Sequence, residues 1–377
     1  MNVTRISQYG QLAALQADWN RLAGDVPFRR WPWLATWWDQ YGDGTALCVL
    51  CVRDAGESVL GIAPFWIETS RARGRIVRLL GSGEVCTDYT GVIATTGSED
   101  AVTDALANWL TNTATNNDDD SGDRVPWDLM ELTGIVEQDE TTRRLIDKLG
   151  SLGNTIHEQP GMNCWRIALP ETWEDYLAML SKSHRKQIRR LENRVLATDR
   201  AELYTATNRN ELKTGMEILV DLHQRRRKSL DQPGCFSSTA FSRMMHAVAE
   251  RLLDEDQLRL HWLTLDDKPV AAEFQLRGGD VRYAYQAGVD PDSLDQEPGR
   301  LINIATIQHA ICEGCQSFDF LRGDEPYKAH FRAKPETTIE YRVVPNRSTS
   351  RLRHQIWRTG GQLKQWIKNG LASAGLC

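Results

Sequence analysis

The sequence predicts an α/β protein of mixed (α+β) sheets, made of two tandem halves of like architecture. Three observations predict it. First, hairpin, strand, helix and strand follow one another twice, over 47–132 and again over 258–323; such recurrence marks a repeated architecture. Second, each round opens with two apolar runs around a short turn, an antiparallel pair, and closes with a strand–helix–strand crossover, whose two strands run parallel. Third, 377 residues are enough for two to three domains of roughly 100–200 residues, each large enough for its own core.

The first half opens with a strand from Val3 to Ile6. A helix follows, with Leu12, Leu15, Trp19 and Leu22 at helical spacing. An aromatic segment occupies 28–42. The hairpin spans 47–67, and Asp54-Ala55-Gly56 supplies its turn. A strand is expected over 88–94, then an amphipathic helix carrying Val102, Leu106, Trp109 and Leu110. A polar loop, 116–123, leads to a strand from Trp127 to Leu132. The boundary falls near Gly161, before a strand at 164–169, which divides the chain into 1–163, 164–345 and a basic tail, 346–377. Two helices are expected next. The first, 172–196, sets Ile188, Leu191 and Val195 on one face, and the second covers 209–230. The repeat then resumes with a hairpin at 258–276, a strand at 281–290, a helix at 300–314 ending at Gly314 as C-cap, and a strand at 317–323.

Hydrophobic residues at 41% and charged residues at 25% are ordinary for a globular chain. A net charge of -6 gives no global basic field, so DNA is not an expected partner. The charge is uneven: the last 37 residues hold seven Arg or Lys and no acid, an asymmetry of surface-binding tails. Leu352, Ile356, Trp357, Leu363, Trp366 and Ile367 lie among them. That spacing fits an amphipathic membrane-surface helix or a helix packed on its own domain. There is no signal-peptide pattern and no apolar window long enough to span a bilayer, so a cytoplasmic protein is expected, peripheral at the membrane if the tail binds there. Cys48/Cys51 and Cys312/Cys315 lie too far apart for a zinc ribbon, and the polar loop lacks the acid that closes a calcium loop. No metal is expected.

The loop ending at Pro298-Gly299, with Arg300 and Leu301 opening the next helix, is the first chemical candidate. Helix N-termini offer unpaired N–H groups and a positive dipole end to an anion; the plainer alternative is that Pro-Gly only starts a helix. The second candidate is 318–331. Asp319 ends a strand, and Tyr327 and Lys328 follow a glycine turn. Tyr suits general acid work and Lys suits an anion, while a surface turn with a solvated lysine fits equally. The third is the helix 181–190, with five Lys or Arg in ten residues, Arg185 among them. It fits a phosphate, an anionic sugar or RNA, or else is a solvated face. Glu273, inside an apolar strand, is a candidate base with a raised pKa, unless alternation turns it to water. His223 is a second candidate base, although an apolar stripe favours a core histidine. Tyr285 joins Arg185, Asp319 and Lys328 as a candidate for holding the acceptor.

A set of short motifs resembles one family. They are Trp33 with Trp37-Trp38, the strand Gly61-Ile62-Ala63-Pro64, Ser181 to Lys186, Pro298 to Leu301, and Phe318-Asp319-Phe320 followed by Gly323 and Tyr327-Lys328. In order and spacing, over roughly 20 to 345, they look like the CelD/BcsL-type predicted acetyltransferases of the GNAT superfamily. That family is associated with cellulose and exopolysaccharide synthesis and is similar in architecture to Fem-type peptidyltransferases. The resemblance implies two GNAT-like halves and an acyl-CoA co-substrate whose pyrophosphate sits at Pro298 to Leu301. The equivalent place in the first half carries Glu99 and Asp100, which repel a pyrophosphate, so the second half is the expected donor site. Its loop has only Gly299, where the usual GNAT loop has more than one Gly or Gly/Ala.

The expected activity is therefore transfer of an acyl group, such as acetyl, from acyl-CoA to an amine or hydroxyl of a small molecule, sugar or polysaccharide precursor. Glu273 or His223 acts as base, Tyr327 as acid, and backbone N–H groups of helix 300–314 hold the thioester. Membrane-associated polysaccharide synthesis machinery is the partner that the resemblance implies. Two other readings stand beside it: Fem-like aminoacyl transfer from charged tRNA, and a non-catalytic binding or scaffold module.

Overall fold

The computed structural model describes residues 1–115 and 126–357. The polar loop 116–123 and the tail beyond 357 lie outside the described residues. The strands, in chain order, are β1 (Asn2–Ile6), β2 (Ala46–Arg53), β3 (Val59–Ser70), β4 (Gly74–Leu79), β5 (Ile93–Ala94), β6 (Leu129–Val136), β7 (Thr155–Pro160), β8 (Cys164–Ala168), β9 (Ala201–Thr205), β10 (Leu258–Leu265), β11 (Lys268–Gly278), β12 (Val281–Val289), β13 (Ser317–Arg322), β14 (Lys334–Glu336) and β15 (Thr338–Val344). They form two mixed sheets. The first runs β1-β2-β3-β4-β6-β15-β7, with β5 against β3; the second runs β14-β8-β13-β12-β11-β10-β9.

Both expected hairpins are present, β2–β3 and β10–β11. The second crossover joins parallel strands as expected, β12 to β13; in the first half the strand parallel to β6 is β4, which the sequence reading did not give, while β5 pairs antiparallel with β3. The helix between β12 and β13 is Pro298–Cys312, two residues earlier at each end than expected. Two tandem halves, each a mixed sheet with helices, thus stand as read from the sequence.

Other expectations need correction. Strand 88–94 shrinks to Ile93–Ala94. Gly81, Gly83, Cys86 and Tyr89 all have positive φ, which no strand accommodates, so the chain from Gly81 to Gly91 is a loop. Helix 172–196 is broken into Trp173–Met179 and Lys182–Leu191, with a wider turn over Glu192–Leu196. Leu180 is extended, and the Ser181 hydroxyl accepts from the His184 N–H, so Ser181 starts a new helix. The strand β15, grouped with the second half by sequence, pairs with β6 and β7 in the first sheet. Its buried Ile339, Tyr341 and Val343 complete the first half's core.

The aromatic segment holds the halves together. Residues Trp31 to Trp37 of the helix Trp31–Tyr41 are all buried. Phe28 packs edge-on to Tyr283 at 5.4 Å, and Trp33 to Tyr285 at 4.9 Å, between ring centroids. Each fully buried aromatic of this kind contributes about 1.5–3 kcal/mol. The tryptophans here fill the interface between the sheets rather than a ligand cleft.

Candidate functional site

The strands β12 and β13 pair only over Val281–Tyr283 and Ser317–Asp319, then part. β12 carries a bulge opposite Phe274 and Gln275, and β13 turns aside where Leu321 takes φ 56°. A cleft opens between them and holds two adjoining cavities. One, of about 320 Å³, is polar: Glu84, Cys86 and Asp88 of the first half's loop face Arg227, Tyr285, Gln286, Arg322 and Glu325. The other, of about 350 Å³, is mainly apolar, with Val289, Ile302 and Phe331 on its walls and Glu297, Gly299, Arg300 and His330 also lining it. Glu273, Ala287, Asn303 and Tyr327 line both.

Glu273 stands where the two cavities share a wall because β11 is a central strand covered on both faces. Ala272, Phe274 and Leu276 pack with the helix Arg209–Lys228, while Ala271 packs with the helix Pro298–Cys312. Glu273 shares this second face and is only 4% exposed, so simple alternation does not send it to water. Its Oε2 accepts from the Gln275 amide and, at 3.2 Å, from the Thr306 hydroxyl. Neither bond uses Oε1, and no hydrogen bond to Oε1 is found among the described residues. Burial pushes the Glu273 carboxyl up to about 7, against the pull of Gln275, Thr306 and Arg282. A carboxyl poised there at neutral pH is suited to general base work.

Tyr327 is 42% exposed as a residue and lines both cavities. Burial first, then the Glu273 and Glu325 carboxylates, raise its pKa, so it carries its proton at neutral pH and can donate it.

The other expected residues divide. Gly299 and Arg300 line the apolar cavity. Arg300 donates to Glu297 and Gln187, both at 3.0 Å. A Cβ on Gly299 would meet Val289 at an ordinary 3.5 Å, so the glycine is not sterically required. Pro298 is buried at the helix start, and Leu301 belongs to the core, so neither faces a ligand. The N–H groups of Arg300 and Leu301 both donate to the Glu297 carbonyl at 3.0 Å, and Pro298 has none. Of this first turn, the Gly299 N–H alone has no acceptor among the described residues. Tyr285 walls the polar cavity and donates its hydroxyl to the Val85 carbonyl at 2.7 Å.

Lys328 is corrected: it is 2% exposed, and its ammonium donates to the carbonyls of Leu321, Arg322 and Gly323 at 3.1, 2.9 and 2.9 Å. It also pairs with Glu325, which leaves it no donor for a ligand. Asp319 is corrected as well. Fully buried, it accepts from Tyr89, Arg166 and the Leu321 N–H, so it ties the first half's loop to the second sheet. His223 lies outside both cavities. It is packed on Phe236 with ring nitrogens near Gln224 and Cys235, and burial lowers its pKa. Arg185 lines neither cavity; its neighbours His184 and Gln187 do reach the apolar mouth, where the His184 ring packs tilted against His330 at 4.7 Å and Gln187 meets Arg300.

Sequence reading missed Asn303 and the whole contribution of the first half, and it read Arg227 only as one of a basic cluster, Arg225 to Lys228, suited to RNA. The Gly81-Ser82-Gly83 run was the available signal for a loop there. Among the described residues, no group of His, Cys, Asp and Glu has the arrangement to hold a metal ion, and no helix is long and apolar enough to cross a membrane.

Residues 182–329 match the acetyltransferase (GNAT) domain family, a span that contains Glu273, Asn303 and Tyr327 but not the loop from Glu84 to Asp88. The whole fold is similar to FemX, at 10% identity and TM-score 0.61 over 93% of this chain and 99% of that one. It is also similar to a conserved protein of unknown function from Bacteroides thetaiotaomicron VPI-5482, at 12% and 0.52 over 89% and 97%. A third likeness is to the C-terminal domain of a putative lysylphosphatidylglycerol synthetase from Agrobacterium fabrum, at 11% and 0.51 over 90% and 96%. At such identities the likeness is one of fold. No curated protein matches the chain.

Proposed function

We propose that the chain transfers an acyl group from acyl-CoA, held in the apolar cavity, to an amine or hydroxyl held in the polar one. One observation carries this reading: Glu273, with an unengaged Oε1 and a pKa near 7, lines both cavities. Acyl-CoA, when bound, supplies a thioester carbon for attack. Val289, Ile302 and Phe331 suit an apolar arm, and Arg300 with His330 suits the anionic end. The expected pyrophosphate loop is acidic, with Asp290, Asp292, Asp295 and Glu297, although Arg225 neutralises the first two. Glu273 takes the acceptor's proton, Tyr327 gives its own to the leaving sulfur, and the Gly299 N–H is placed to bind the donor. The polar cavity, with Glu84, Arg227 and Gln286, suits a small hydroxyl- or amine-bearing acceptor, and a sugar or polysaccharide precursor is the acceptor that the family resemblance proposes.

Calorimetric titration with acetyl-CoA and longer acyl-CoAs tests the donor. Saturable binding is expected in the wild type and in Glu273→Gln, and none in Gly299→Glu, which adds a charge at the apolar mouth. Glu273→Gln should slow transfer by about 10²–10⁴-fold. Absence of binding to folded wild-type protein would end the acyl-CoA reading.

The cations at the apolar mouth favour one second reading, an aminoacyl-tRNA donor. Lys182, Lys186 and Arg189 lie exposed on the helix whose His184 meets His330. RNA retained on purification and released steeply by salt would support it.

A further inference from the structure

Behind Glu273 runs a buried chain of polar side chains that the transfer chemistry does not use. The Gln275 amide nitrogen donates to Glu273 Oε2. The Gln275 carbonyl oxygen accepts from Arg282 Nη1 at 3.1 Å. Arg282 Nη2 pairs with Glu313, and Arg259 Nε donates to the same carboxylate at 2.8 Å. Arg282 and Gln275 are fully buried, while Glu313 lies at the end of the helix Pro298–Cys312 and retains partial exposure.

This order has a consequence for the amide. A guanidinium only donates, so Arg282 can face only the oxygen end of Gln275. That fixes the NH₂ end toward Glu273, and a flipped amide would set like against like at both contacts. The same logic fixes His261. Its Nε2 lies 3.2 Å from Arg282 Nη1 and must accept, so the ring is neutral with its proton on Nδ1, 2.8 Å from the Thr205 hydroxyl. An arginine side chain does not release its proton at ordinary pH, so the chain cannot conduct protons from Glu273 to the far surface.

We propose that Gln275 and Arg282 are positioning residues for Glu273: anchored by Glu313, they hold its Oε2 against the wall and leave Oε1 facing the two cavities. The proposal rests on the reading of Glu273 as the base. It extends that reading to residues which touch neither cavity.

The test is the titration of the Glu273 carboxyl itself, followed by carbon NMR of glutamate-labelled protein and assigned by its absence in Glu273→Gln. Tyr327 and Thr306 face the carboxyl directly, and His261, His309, Arg259 and Cys315 surround Arg282, so the Glu273 signal must be read singly. Gln275→Met keeps the volume and removes the donor. Its Glu273 midpoint should rise by about one pH unit or more, the scale of a lost hydrogen bond to a charged group. Arg282→Lys keeps the charge but loses the two-pronged grip on Gln275 and Glu313; its midpoint should rise too, and it serves if Gln275→Met does not fold. An unmoved midpoint in a folded variant overturns the proposal. Neither donor nor acceptor is present, so a failure of acyl-CoA to bind would leave this measurement intact, and would count against the transfer reading alone. Once an acceptor is known, the acid limb of the rate profile should move the same way.

Discussion

At the residue scale, burial of Glu273 makes stability depend on pH in an unusual direction. Its pKa is about 7 in the folded chain, against an ordinary 4.5. Between those values the folded protein keeps a proton that the unfolded chain has released. Unfolding therefore releases protons, and stability falls as pH rises through that window. Asp319 acts in the same direction, raised by burial from 3.8 to about 6. For Glu273 alone the loss by pH 8 is up to about 3 kcal/mol. Urea melts at pH 5 and pH 8 should show wild type weaker at the higher pH, and Glu273→Gln should flatten most of that difference. Equal slopes in the two proteins would mean that the carboxyl titrates normally. Transfer should run the other way, rising with pH through about 7 as the base loses its proton. Under the proposed function the ionised base is thus held at some expense of stability, as at strained functional sites.

At the scale of elements, Lys328 shows what a sequence can and cannot say. A lysine after a glycine turn reads equally as an anion holder or a solvated side chain. Its true role depends on three carbonyls that converge because Leu321 and Gly323 have φ of 56° and 115°, and no local pattern announces that geometry. Lys328→Met should leave these carbonyls unpaired and cost about 3 kcal/mol or more, read as a lower denaturant midpoint. Lys328→Arg should recover little of it, because a planar fork does not match three converging acceptors. Full stability in Lys328→Met would show that water replaces the ammonium. The hairpins, by contrast, were legible, since turn residues between apolar runs are a local signal. So was the helix ahead of β13, fixed by Pro298 and Gly314. The helix Trp31–Tyr41 was not legible as a helix, because seven successive buried residues carry no periodicity. Glu273 was legible as a candidate because a lone acid in an apolar strand is conspicuous. Its partners Gln275 and Arg282 were not, because a polar residue two positions along a strand looks solvent-facing until both faces are found covered.

At the scale of the whole molecule, the two halves repeat in sequence order but are not separable bodies. The loop from Glu84 to Asp88 walls the second half's polar cavity. Asp88 accepts from Arg322 at 2.7 Å, and Tyr89 donates to Asp319, so four residues from the two halves clasp at the cleft. The sequence hid this because each partner lies more than 200 residues from the other and the loop looked like a strand. The return of β15 is a stronger bond still. It lies between β6 and β7, and it fills both of their inner edges. A fragment of residues 1–163 would expose the β6 edge and leave β7 with no partner, a state prone to pairing with other chains. Expressed alone, that fragment should aggregate or show no cooperative unfolding. Produced together with residues 164–377 it should become soluble, because the second piece brings β15. Size-exclusion chromatography and circular dichroism distinguish these outcomes. A monomeric 1–163 that melts cooperatively would show that the first sheet closes without β15, and that wall of the polar cavity would then belong to an independently folding domain rather than to one shared cleft.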